Sequence, residues 1–163
     1  MTRNEVPIWV SAPLVVGTFG LLFWLERRWP LRREVEPKLR RNARNLAVAA
    51  PGAMTLWLVE RPVAMALAAA GDAWGFGLLR LAAISGWVEV LVAILLLDYT
   101  LYVWHVLNHR IPFLWRFHVA HHVDLDLDAS TAVRFHFGEL TLSIAWRAGQ
   151  ILILGVSPFA LSV

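Results

Sequence analysis

The chain has 163 residues, enough for one domain, and no cysteine, which excludes disulfides, zinc–thiolate sites and iron–sulfur clusters. Its formal net charge is only +3, but 58% of its residues are hydrophobic, against roughly 45–50% for a soluble globular domain. Long apolar stretches therefore point to the bilayer, and the nine tryptophans suit side chains at headgroup level.

The first apolar run, residues 8–25, is long enough for a transmembrane helix and is closed by Glu26–Arg27–Arg28. A cleaved signal peptide would carry its positive charge ahead of the apolar core, so this run reads as an anchor with the N-terminus outside. More than half of the basic side chains then fall in one segment: Arg27, Arg28, Arg32, Arg33, Lys38, Arg40, Arg41 and Arg44. Because apolar stretches flank it on both sides, residues 26–45 read as a juxtamembrane cytoplasmic loop rather than a nucleic-acid site. Residues 46–70 are apolar again but interrupted by Glu60–Arg61–Pro62, where proline removes a backbone donor and favours a kink or a break. Gly71, Asp72, Gly75 and Gly77 mark a turn. Residues 87–104 form the clearest later span, and a fourth apolar segment, 140–163, contains Arg147 and Gln150. The reading is an all-α, polytopic integral membrane protein of three to four transmembrane helices. Residues 1–86 form an anchor region and 87–163 carry the chemistry.

That chemistry lies in histidine. All six histidines fall between His105 and His136. Spacings of three and four place His105 with His109, and His118 with His121 and His122, on single helix faces. Pro112 should break the chain into two helices between the clusters. A lone histidine is usually a satisfied polar residue, but five in two helical clusters supply most of a two-metal site. Asp98, Tyr102, His105 and His109 form one stripe along the third span. A carboxylate within a span marks function by default, and Asp98 is expected to orient a ligating ring. Asp124, Asp126 and Asp128 alternate with Leu125 and Leu127 but lack the glycine and distal glutamate of a calcium loop, so they read as an exposed segment. One outward and one return crossing put residues 105–139 on the cytoplasmic side, with Arg110, Arg116 and Arg134.

Taken together, three blocks resemble the fatty acid hydroxylase / sterol desaturase superfamily. They are Asp98, Tyr102, His105 and His109; then Leu114–Trp115–Arg116–Phe117–His118 with His121 and His122; then Ser130–Thr131–Ala132 with Arg134, His136 and Glu139. The resemblance covers residues 98–139. It implies a membrane-bound di-iron oxygenase that hydroxylates or desaturates a lipid, whether fatty-acyl, sterol-like or carotenoid-like, using dioxygen. It implies His105, His109, His118, His121 and His122 as iron ligands, His136 as a further candidate, and Arg134 with Glu139 as a bracing pair. Electrons are expected from a separate ferredoxin or b-type cytochrome, in the inner or plasma membrane, with no nucleic-acid partner. The family's third histidine box is absent, and the sequence stops at Val163 inside an apolar run. The expectation is therefore a C-terminally truncated chain. The rival readings are an inactive membrane remnant, a zinc-dependent membrane hydrolase, and a bis-histidine cytochrome. The last fits least, because the histidines crowd one membrane face.

Overall fold

In the computed structural model, residues 8–30 and 33–162 are described, without the side chains of Ile8 and Ser11, and their regular structure is helical. Helix α1 spans Ile8–Arg28 and ends on Arg27 and Arg28, cations that suit the negative end of a helix dipole. Helix α2 spans Lys38–Thr55, and α3 spans Arg61–Trp74. Between them Leu56–Glu60 forms a π-helical turn, in which the Arg61 amide donates to the Leu56 carbonyl. This wider turn absorbs the ring and the missing donor of Pro62, so Glu60–Arg61–Pro62 does not break the helix. The chain is continuously helical from Lys38 to Trp74.

The short α4 spans Leu78–Leu81, and α5 spans Gly86–Arg110. Pro112 opens α6, Pro112–His122, after an extended Ile111, as its fixed φ and lost donor predict. Helix α7 is one turn, Ala129–Ala132, while α8 spans Phe137–Leu154 and α9 spans Pro158–Ser162.

Three sequence expectations change here. The basic segment 26–45 is not one loop: Arg27 and Arg28 finish α1, and Lys38 to Arg44 open α2. Gly71 and Asp72 lie inside α3, and the turn begins at Gly75, left-handed at φ 63°. The fourth apolar segment is divided at Gly155, also left-handed, where α8 ends. Arg32 lies outside the described residues.

Among the described residues two stretches are long and apolar enough to cross a membrane, Lys38–Leu81 and Gly86–Arg110. Only 11% of the apolar window of α5 is buried, which separates it from the core helix of a soluble protein. Together with the helical structure of the described residues, this is consistent with a membrane protein.

Side-chain contacts give the directions. Leu140 lies against Gly52, Arg147 pairs with Glu60 at 3.2 Å, and the Gly155 backbone abuts Gly77. The α2–α3 rod and α8 therefore run parallel. Helix α5 runs the other way: Glu89 accepts from the Ser157 amide, and the Trp146 indole donates to the Thr100 carbonyl. Gly77, at φ 115°, makes the closest backbone approach, since a Cβ there would lie 2.2 Å from the Gly155 Cα. A core of Leu79, Val90, Ala93, Leu154, Val156 and Ala160 closes that end. The opposite end gathers the start of α2, the last turn of α5, α6, α7 and the start of α8.

Candidate metal centre

At that second end, helix periodicity stacks His105 over His109 in the last turns of α5, with their Nε2 atoms 3.2 Å apart. On α6 the same spacing sets His118 over His122, with Nε2 atoms 3.1 Å apart. The bend at Ile111–Pro112 turns the two pairs toward each other. The His105 and His118 ring centroids lie 4.8 Å apart, as do those of His109 and His122. Ring nitrogens of His105, His109 and His118 all fall within 4.8 Å of one another.

Two imidazole lone pairs facing each other at such distances require a proton or a cation between them. At metal–nitrogen distances of about 2.0–2.1 Å, two ligands on one ion sit about 2.9–3.4 Å apart, from right-angled to tetrahedral geometry. Both Nε2 pairs fall in that bracket. His121 adds a buried Nδ1 with no hydrogen-bond partner, while its ring stacks on Phe135 at 4.9 Å. An orphaned buried nitrogen beside four converging imidazoles fits a transition metal. Imidazole suits iron, zinc and copper alike.

His136 is placed differently. It stands at the N-cap of α8, where its Nδ1 accepts from the Gly138 amide at 3.0 Å, and its ring packs on Phe117. Its Nε2 is the atom left for a ligand.

The carboxylate that meets one of these rings is Glu139, not Asp98. Glu139 Oε1 sits 2.9 Å from His118 Nδ1, and both residues are buried. Asp98 is exposed with no hydrogen bond among the described residues, and Tyr102 is also exposed. Burial, with the neighbouring charges of His109 and His121, lowers His118 to about 4. His118 is thus neutral near pH 7, the form that binds a metal. With Nδ1–H given to Glu139, its Nε2 lone pair faces the cluster. The Glu139→Gln variant keeps the shape but loses the charge, and is expected to bind metal about 10–100-fold more weakly. Competition against a chelator measures this, and an unchanged affinity would remove Glu139 from the centre.

Arg134 does not pair with Glu139. It lies between α7 and α8, and its Nη1 donates to Asn45 Oδ1 at 3.2 Å. Nor is the Asp124–Asp128 segment exposed as a whole. Asp124 is buried, and its carboxylate accepts from Asn45 and Thr131, both at 2.7 Å. Burial pushes the Asp124 carboxyl up, but the hydrogen bonds of Thr131, Asn45 and the Asp126 amide, with the charge of Arg41, hold it below its ordinary value. Arg41, only 2% exposed, pairs with Asp124 at 3.6 Å, with Asp126 at 3.8 Å, and with Asp128. Asp128 also caps α7 in a reciprocal box with Thr131. The carboxylates face inward while Leu125 and Leu127 face out, and Leu127 adopts a left-handed φ of 39°. Sequence reasoning missed this clasp. Its signal was the Asp128–Thr131 spacing of a capping box, but nothing in the linear pattern pointed to Arg41 or Asn45.

Comparison with known proteins adds one match. Residues 90–163 match the family model described as fatty acid hydroxylase. No curated protein and no solved structure matches the chain.

Proposed function

We propose that this chain, whose residues 90–163 match the fatty acid hydroxylase family model, is an integral membrane iron oxygenase that hydroxylates or desaturates a lipid. The family is one of lipid hydroxylase and desaturase oxidoreductases. The observation that carries the reading is the convergence of His105, His109, His118 and His122, with the orphaned His121, at one end of apolar helices. These five residues would hold the metal, with His136 Nε2 as a sixth donor, and we assign a di-iron centre. Iron bound there would activate dioxygen for attack on an unactivated C–H bond, chemistry that redox-inert zinc cannot supply.

The chain's own residues do the rest. Glu139 fixes the tautomer and orientation of His118. The Trp115 ring lies 5.3 Å from His109 and 5.6 Å from His122, walling one side of the cluster with apolar surface. A site beside the end of α5 lets a lipid chain reach it without leaving the apolar phase.

Helices α1 and α8 are assigned as further crossings, giving four. Arg27, Arg28, Lys38, Arg40 and Arg44 stand at the same end as the histidines, which supports a cytoplasmic site in an inner or plasma membrane. The two electrons per turnover come from a separate donor, a ferredoxin or a b-type cytochrome.

Elemental analysis of detergent-purified protein, paired with oxygen uptake under a chemical reductant and added lipid, tests the reading. Iron, up to two per chain, with lipid-dependent oxygen uptake is the expected result. Zinc as the only metal, with no uptake, would overturn it.

A further inference from the structure

A cavity of about 240 Å³ opens beside the histidine cluster, lined by His109, Arg110, Pro112 and Trp115. A candidate metal ligand and a cation thus share one small space. Arg110 is the last residue of α5, exposed, with no hydrogen bond or ion pair among the described residues. No acidic side chain lines the cavity to neutralise it. Arg41 and Arg44, at the same end, are matched by carboxylates, whereas the Arg110 guanidinium shares its cavity with His109 and Trp115 alone among polar and aromatic side chains.

We propose that this cavity seats the anionic headgroup of the lipid substrate, with Arg110 as its counter-charge. The proposal rests on the lipid-oxidation reading above and names the substrate class. A planar guanidinium fork matches a carboxylate or a phosphate in two parallel hydrogen bonds. As the terminal residue of an apolar helix, Arg110 stands at headgroup depth. Because His109 lines the same cavity as Arg110, the carbon presented to it lies close to the head. Exposed Ile111 and Phe113 beside the mouth offer apolar surface for the remaining tail.

The test uses the full chain in non-ionic detergent, with palmitate, dipalmitoyl phosphatidate, hexadecanol and inorganic phosphate as probes. Palmitate or the phosphatidate, or both, bind at least about tenfold more tightly than hexadecanol, and whichever binds identifies the head. Arg110→Gln removes that advantage, Arg110→Lys restores part of it, and Arg116→Gln leaves it intact. Palmitate brominated next to its carboxyl quenches Trp115 fluorescence, a signal lost in Trp115→Phe, whereas palmitate brominated at the tail end does not.

Equal binding of hexadecanol, or no effect of Arg110→Gln, would overturn the proposal. So would inorganic phosphate competing as well as the lipids, which marks a free-anion site. Metal content is measured on the same samples. Protein without iron that still binds anionic lipid through Arg110 would sink the oxygenase reading and keep the headgroup site, and the converse result would do the reverse.

Discussion

Replacing His118 by alanine is expected to abolish the proposed metal loading while leaving membrane insertion intact. His118 has no solvent exposure, and it is the ring on which the site converges. Its Nε2 faces His122 at 3.1 Å, its centroid lies 4.8 Å from His105 and 4.9 Å from His109, and its Nδ1 meets Glu139. Alanine deletes a ligand and also leaves the buried Glu139 carboxyl without its partner. That orphaning costs about 1–3 kcal/mol in stability. The crossing helices do not depend on it, because α5 and the α2–α3 rod are held at the far end by Gly77–Gly155 and the apolar core. Iron per chain should fall below about a tenth of wild type, a loss consistent with 10–100-fold weaker binding from an orienting residue alone. Helicity and membrane extraction should be unchanged. A His118→Ala protein with normal iron content would remove the ring from the ligand set. His121→Ala should likewise lose metal while inserting normally, because its Nδ1 has no structural hydrogen bond to lose.

The largest stability effect should come from Arg41→Leu, remote in sequence from every histidine. Arg41 neutralises the carboxylates of Asp124 and Asp128 in a region where their side chains are 1% and 6% exposed. Removing one partner of a buried ion network leaves uncompensated charge, at about 3–5 kcal/mol. For a chain of this length that lowers the melting temperature by about 10 °C. The consequence for the site is mechanical. Asp124 lies two residues beyond His122, and the Asp124–Asp128 segment leads through α7 to His136 and Glu139. Releasing it frees the end of α6 and the start of α8 together, so metal loading should fall with stability. A triple variant, Arg41→Leu with Asp124→Asn and Asp128→Asn, should recover much of the loss because it removes two of the three stranded charges. Thermal unfolding in detergent reports both. An Arg41→Leu protein melting with wild type would show that the carboxylates find other compensation.

Much of the site was legible before any coordinates, because it rests on local periodicity. Spacings of three and four brought His105 onto His109 and His118 onto His122, and Pro112 set the bend between them. Where reasoning along one helix stripe was extended to a second helix, it failed. Asp98 shares the stripe of His105 but is exposed, while the carboxylate that meets His118 arrives from α8, 21 residues later. Arg134 and Glu139 were expected to pair across a helical turn, but they are five residues apart, and α7 ends at Ala132 while α8 starts at Phe137, so no common helix carries them.

By itself the sequence determined the helical class, the apolar stretches, the two histidine clusters and the segment that matches the fatty acid hydroxylase model. Each of these is a matter of composition or of neighbours within a few residues, which backbone geometry converts directly into faces. Tertiary structure alone decided that Glu60–Arg61–Pro62 passes as a π turn, that Glu139 orients His118, and that Arg41 and Asn45 clasp the acidic segment from more than 75 residues away. The physical reason is the cost of burying charge and hydrogen-bonding groups without partners. That cost selects which distant elements come together, and no local pattern in the chain records the outcome.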